Sequence, residues 1–304
     1  MLTVASAVKR GRRNLHLFYN QKGPEMKSVE KYIRKLTRRR GTSRQPVDVD
    51  RMIKLTKKSK RKILAFAKQI KEPLRDDEEI GRVEIIVLTF KSPHNEVECI
   101  KRIIEKTHHP YQITVFDNRP NSPNTSKVWN KLIWDATCPF IVIMDSDAFV
   151  ETGGWIEKMF TVLVSRPDCG VVVPVCGRNG SCPEFQRLPA SSRAPYAVDR
   201  YVSGYCFMFR KALVSEIGWF DEDFLMYGQD SDWFDRLKYR GYKAYIHPQV
   251  EVFHLGMSET KKADKEGVFD LELDTKHAEI LFNKKKDKRW EEGRLLEEDI
   301  GEVK

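Results

Sequence analysis

From residue 83 to residue 255 the hydrophobic positions alternate between short unbroken runs and longer stretches with a period near 3.6. VEIIVLTF (83–90) and FIVIM (140–144) are apolar at consecutive positions and rich in β-branched side chains, which suits strands buried on both faces. Between them, NEVECIKRIIEKT (95–107) puts Val97, Ile100, Ile103 and Ile104 on one side of a helix. YQITVF (111–116) reads as a second strand and SKVWNKLIWDA (126–136) as a second helix. This βαβαβ order predicts a parallel sheet with right-handed crossovers, one half of a nucleotide-binding doubly wound α/β fold. Further on, the pattern predicts a helix over 154–165, a strand over 170–175, an irregular segment over 177–200 and a strand over 205–210. A short helix and an acidic aromatic loop follow, then a helix from Asp230 or Ser231 to Gly241, and strands over 243–248 and 250–255.

The ends of the chain differ from this middle. Over residues 1–80, Val29, Tyr32, Ile33 and Leu36 have helical spacing, as do Ile63, Phe66, Ala67 and Ile70 within 50–72, with RRRGTSRQP as a linker. Residues 261–304 form a charged tail with a helix over 275–283. The expected division is a basic helical extension (1–80), an α/β domain (81–260) and the tail (261–304). Tail cover of a cleft and self-association both remain open.

Charge sharpens the division. Of the net +10 over 304 residues, residues 1–82 hold 24 Lys/Arg against 9 Asp/Glu, while the remainder holds 30 against 35. A basic segment without aromatic interleaving suits an anionic membrane surface or nucleic acid, without base specificity. No apolar run approaches a spanning length and the first residues lack the order of a signal peptide, so the expected location is cytoplasmic, peripheral at the membrane inner face. The six cysteines fit neither a disulfide framework nor a zinc pattern, although Cys176 and Cys182 bracket a loop and could meet.

The chemistry gathers at strand ends. Asp145 and Asp147 follow the strand at 140–144, where ligands collect in open α/β sheets, and two acids on one turn suit Mg²⁺ or Mn²⁺ shared with a diphosphate. Thr89 closes the first strand, and Asp117 with Asn118 closes the second, where a carboxylate can accept from a nucleobase edge. There is no GxGxxG after the first strand and no Walker motif, which argues against a dinucleotide enzyme or a P-loop NTPase. Asp230 and Asp232 lie at a helix start, where one of them suits an N-cap. His254 ends the last strand and could complete an oxygen-rich metal shell. Arg187 and Arg193 are available to anionic groups.

Taken in order, the strand ending in Thr-Phe, the strand ending in Asp-Asn, IVIMDSDAFV, SGYCFMFRKA, IGWFDEDFLMYGQDSDWFDRL and VFHLGMS resemble the family 2 glycosyltransferases of the GT-A fold, near their rhamnosyltransferase-like and galactofuranosyltransferase-like members. The resemblance covers about residues 83–258. It implies a mostly parallel central sheet flanked by helices. It also implies inverting transfer of a sugar from a nucleotide-diphosphate donor to a glycan, lipid-linked or other hydroxyl acceptor. Carried over by position, Thr89, Asp117, Asn118 and Asp145 bind the donor, Asp145, Asp147 and His254 hold Mn²⁺ or Mg²⁺, and Asp230 is the base. Gln229, Asp232 and Trp233 fall on the acceptor side, Gln229 standing where the motif has an acid. Alternatives are a glycosyltransferase that modifies nucleic acid through its basic arm, an inactive anion-binding protein, a glycoside hydrolase or a nucleotidyltransferase.

Overall fold

The computed structural model describes residues 14–18, 81–89, 93–118, 124–188, 192–256 and 270–292, with isolated positions between 261 and 267. The helices expected over 29–36 and 50–72 lie outside the described residues.

The βαβαβ unit forms as its pattern predicts. Strand β2 (Val83–Thr89) leads through α1 (Pro93–Lys106) to β3 (Tyr111–Asp117), and α2 (Thr125–Asp135) returns the chain to β4 (Phe140–Asp145). Both β3 and β4 pair with β2 in parallel, on opposite sides of it. With right-handed crossovers this order puts α1 and α2 on opposite faces of the sheet. Val83, Ile85 and Val87 accordingly pack in one core with Ile100 and Ile103 of α1, while Ile86 packs in the other with Trp129 and Ile133 of α2. Each such buried Ile or Val contributes roughly 1.5–3 kcal/mol.

One strand was not anticipated. Residues Asn14–Phe18, inside the segment expected to be helical, form β1, which pairs in parallel with the outer edge of β3.

The remaining strands build the other side of the sheet. After β5 (Ala148–Val150) and α3 (Trp155–Ser165) come β6 (Cys169–Val175), β7 (Tyr196–Val198) and β8 (Cys206–Arg210). Helix α4 (Val214–Ile217), α5 (Gln229–Tyr239), β9 (Lys243–His254) and α6 (Leu271–Glu292) follow. The order across the sheet is β1-β3-β2-β4-β8-β6-β9-β5, with β7 also on β9. Strands β8, β7 and β5 run against the others, so most strands remain parallel. The two short strands expected over 243–255 are one strand. Its register with β6 jumps from Pro174↔His247 to Val175↔Glu251, and the bend lets its last residues leave β6 and pair with β5, which follows the Asp145–Asp147 turn.

Two connections fix the acidic aromatic loop, residues 218–228, against this frame. The N-terminal turns of α2 grip its backbone: Asn124 Nδ2 donates to Glu222 O (2.7 Å), Ser126 Oγ to Phe224 O (3.1 Å) and Asn130 Nδ2 to Phe220 O (2.7 Å). From the other side α6 docks on α5. Arg289 is fully buried and ion-pairs with Asp232 and Asp235, while Lys285 pairs with Asp221 and Asp223. The tail helix is therefore longer than the expected 275–283 and is part of the domain.

Candidate functional site

Three side chains from two distant parts of the chain meet at the carboxyl end of β4. Asp145 ends the strand, Asp147 follows in the turn, and β9 brings His254 opposite Ala148. His254 Nε2 lies 3.4 Å from Asp147 Oδ1 and 3.7 Å from Asp145 Oδ2, and one ligand atom from each residue lies within 4.8 Å of the others. Secondary contacts hold the trio in place. Asp147 Oδ2 accepts from the Gly256 amide (3.1 Å), and His254 stacks on Tyr205 with ring centroids 4.7 Å apart and planes within 8°. His254 Nδ1 lies 2.7 Å from the Ser181 carbonyl oxygen, which can only accept, so Nδ1 carries a hydrogen and Nε2 is the nitrogen turned to the carboxylates.

The electrostatics fit a cation. The Asp145 side chain is 41% exposed, into a cavity instead of open solvent. Burial pushes its carboxyl up to about 7, against the pull of His254, with the nearby charges of Asp147 and Asp230 adding to the rise. For His254, burial opposes protonation, but the hydrogen bond to Asp147 and the charges of Asp145 and Asp147 prevail and raise it to about 9. Two crowded acids that draw a proton onto an imidazole lack positive charge. Two carboxylates with a neutral imidazole form a donor set that suits Mn²⁺ or Mg²⁺.

Asp230 sits in the first turn of α5, which starts at Gly228 in the left-handed region (φ 85°). Its Oδ2 accepts from Tyr201 Oη (2.7 Å) and the Gly204 amide (3.1 Å), and its Oδ1 from the Ser231 amide (2.8 Å). The approach to Gly204 requires glycine, because a Cβ there would stand 2.7 Å from Asp230 Oδ2. Burial raises the Asp230 carboxyl above its ordinary value, with the hydrogen bonds from Tyr201, Ser231 and Gly204 holding it down.

Asp145, Asp147, His254 and Asp230 line one cavity of about 510 Å³, together with Asn118 and Gln229. Four polar atoms of its lining are buried without a hydrogen-bond partner among the described residues: Asn118 Oδ1, Trp129 Nε1, Arg187 Nε and Gln229 Oε1. Such orphans are few in a folded chain, and half of the eight found among the described residues lie in this one cavity, as a site for a polar ligand would have them. Arg187 is the single Lys or Arg of that lining among the described residues. Cys182 also lines the cavity. It and Cys176 are free thiols that hydrogen bond to each other, which draws Cys176 down to about 7.

Other residues singled out in the sequence lie elsewhere. Asp232 and Trp233, expected on the acceptor side, are both fully buried. Asp232 pairs with Arg236 and Arg289, and Trp233 packs on Phe220 and Phe209 at 5.0 Å and donates to the Gly218 carbonyl. The reason is helical geometry, since residues two apart point about 200° apart and Asp230 already faces the cavity. Thr89 is buried and, through its carbonyl, receives the Asn118 amide (2.9 Å), outside the cavity lining. Asp117 pairs with Thr89 in register at the end of β3. Arg193 is exposed on a loop away from the cavity. Sequence reasoning missed Tyr201, Trp129 and the Ser181 carbonyl. Trp129 reads as an ordinary apolar position of α2, and nothing in the pattern marks a tyrosine in an irregular segment.

Mixed α/β topology with a parallel βαβαβ half, acids at the end of its third strand and a returning histidine define a GT-A-type fold. The model of the family described as "Glycosyl transferase family 2" matches residues 63–218, a little over half of the chain, and the chain belongs to that family. The match includes Asp145 and Asp147 and stops before Asp230 and His254. Among solved structures, the crystal structure of S. aureus TarS 1-349 is similar at 15% identity and a TM-score of 0.45, over 60% of this chain and 62% of that one. The crystal structure of GalNAc-T7 with UDP, GalNAc and Mn2+ is similar at 12% identity and a TM-score of 0.45, over 83% of this chain and 55% of that one. This chain thus spans less than two thirds of either structure. Comparison with curated proteins gives no match.

Proposed function

We propose that the protein is an inverting, metal-dependent glycosyltransferase that moves a sugar from a nucleotide-diphosphate donor to an acceptor hydroxyl, with Asp230 as the general base. The observation that carries this reading is the convergence of Asp145, Asp147 and His254 within 4.8 Å, in the same cavity as Asp230. Asp145, Asp147 and His254 Nε2 would hold Mn²⁺ or Mg²⁺. The bound cation would offset negative charge on the diphosphate leaving group. In this reading Asn118, which lines the cavity just past the end of β3, faces the nucleoside, and Arg187 adds a second positive charge toward the diphosphate.

Asp230 has the capacity for its role. Its Oδ2 already accepts two hydrogen bonds while Oδ1 accepts one, so Oδ1 retains a lone pair for an acceptor hydroxyl. Its raised pKa brings it closer to a working base at neutral pH. In one displacement the acceptor O–H bond breaks and its proton passes to Asp230. The oxygen bonds to the anomeric carbon as the anomeric C–O bond to the diphosphate breaks, and that electron pair leaves with the nucleoside diphosphate. Gln229, close by, adds a neutral amide where an acid would compete for the proton.

Among the described residues no helix is long and apolar enough to cross a membrane. The net charge of the first 82 residues supports contact with acidic lipid headgroups at a cytoplasmic surface, with nucleic acid as the alternative. Salt-dependent sedimentation with anionic vesicles against a DNA mobility shift separates the two. The activity itself is tested by screening nucleotide sugars for release of nucleoside diphosphate with and without Mn²⁺. Metal-dependent release supports the reading; release of pyrophosphate, or hydrolysis of glycosides without any nucleotide, would replace it.

A further inference from the structure

A second and larger hollow adjoins the first. It measures about 780 Å³ and runs between α5, the 197–201 segment and α6. Tyr201, Tyr227, Gly228 and Ser231 line both hollows, and two of these, Tyr201 and Ser231, hydrogen bond to Asp230. A molecule lying in the groove therefore reaches the site at the base.

The walls have a definite chemistry. Rings of Tyr201, Tyr227, Phe234, Tyr242 and Phe282 face the groove, with Tyr201 and Phe234 centroids 6.5 Å apart. Four of the seven charged side chains along it are ion-paired: Lys238 lies 2.7 Å from Asp199, Lys243 2.9 Å from Asp168, and Asp235 3.4 Å from Arg289, while Arg200 lies over the Phe185 ring at 5.5 Å and Lys286 over one face of Phe282 at 5.8 Å. Aromatic faces within a rim of paired charge suit the flat C–H faces of sugar rings, with polar groups left for their hydroxyls. The lining as a whole holds four basic side chains (Arg200, Lys238, Lys243, Lys286) against three acidic ones (Asp199, Asp235, Glu279), a near balance that gives a polyanion little net attraction.

The α6 wall is fixed in position. Besides the buried pairs of Arg289 and Lys285, the helix approaches the loop before α5 so closely that a Cβ at Gly228 would stand 3.0 Å from the Ala278 Cβ. This wall lies wholly beyond the family match, which ends at residue 218.

We propose that the groove is the acceptor channel and that it takes a neutral oligosaccharide, whose terminal hydroxyl meets Asp230 Oδ1. This rests on the reading of Asp230 as the base. The partly exposed ring of Phe282 supplies the stacking contact on the α6 side, so its loss weakens the sugar without touching the metal cluster.

The test uses the full chain and a panel of neutral trisaccharides built from glucose, mannose, galactose or N-acetylglucosamine, with trigalacturonate as the anionic counterpart. Saturation-transfer NMR reads sugar binding, and calorimetry with Mn²⁺ on the same samples reads the metal cluster. The expected result is binding of a neutral trisaccharide in preference to trigalacturonate. Phe282→Ala then weakens it about tenfold, Phe282→Trp restores it, and Mn²⁺ affinity stays within twofold in both. Sugar binding indifferent to Phe282, no binding of any neutral member, or preference for trigalacturonate overturns the channel while leaving the donor site intact. A chain that fails to bind Mn²⁺ overturns the underlying reading instead.

Discussion

Two pairs of aspartates, each spaced as Asp-x-Asp, have opposite fates in this molecule. Asp145 and Asp147 flank a turn at the end of β4, and both reach toward His254. Asp230 and Asp232 sit in the first turn of α5, where Asp230 lines the cavity and Asp232 is fully buried between Arg236 and Arg289. The backbone makes the difference. A turn lets alternate side chains converge on one ligand, whereas a helix points them about 200° apart. In the proposed reading, identical spacing yields two metal ligands on the donor side and a base and an anchor on the acceptor side.

That contrast can be broken by mutation. Asp230→Asn is expected to lower kcat by about 10²–10⁴, the usual contribution of general-base assistance, with the melting temperature and Mn²⁺ affinity close to wild type. Asp232→Ala should do the reverse. Removing the partner of two buried arginines costs about 3–5 kcal/mol, so thermal melting should fall steeply and α6 should become open to trypsin. If Asp232→Ala instead melts like wild type and loses only turnover, it is a chemical residue and the contrast fails. Asp147→Ala should weaken Mn²⁺ by at least the roughly 10–100-fold that loss of a supporting ligand contact costs, as read by calorimetry.

Tyr201→Phe carries the smallest expected effect. The Tyr201 hydroxyl stabilises the charged form of Asp230 and so holds its pKa down against burial. Without it the pKa rises, so the acid limb of the kcat/KM profile should move to higher pH. The shift is small, because the half-exposed tyrosine is partly screened by water. A limb that stays in place, or moves to lower pH, would separate Tyr201 from the base.

The donor half was legible because its signals are local. An unbroken apolar run followed by an acid predicts a buried strand with a carboxylate at its end, and β2, β3 and β4 fall where the pattern put them. His254 could be anticipated from its strand-end position, although only the bend in β9 brings it back beside β5. The acceptor half depends on contacts across long stretches of chain. Asp232 and Trp233 carry motif positions but serve the core, and the sequence signal that would have shown it lies 50 residues on. Lys285 and Arg289, one helical turn apart on the tail, match the acids at 221, 223, 232 and 235. Strand β1 escaped notice because its short run NLHLF lies in a segment read as basic helix.

The central claim, that Asp145, Asp147 and His254 form one metal site beside Asp230, is tested most directly by Mn²⁺ titration followed by electron paramagnetic resonance. The account predicts a single bound Mn²⁺ in the wild type, preserved in Asp230→Asn and lost in His254→Ala. Equal Mn²⁺ binding by wild type and His254→Ala would contradict it.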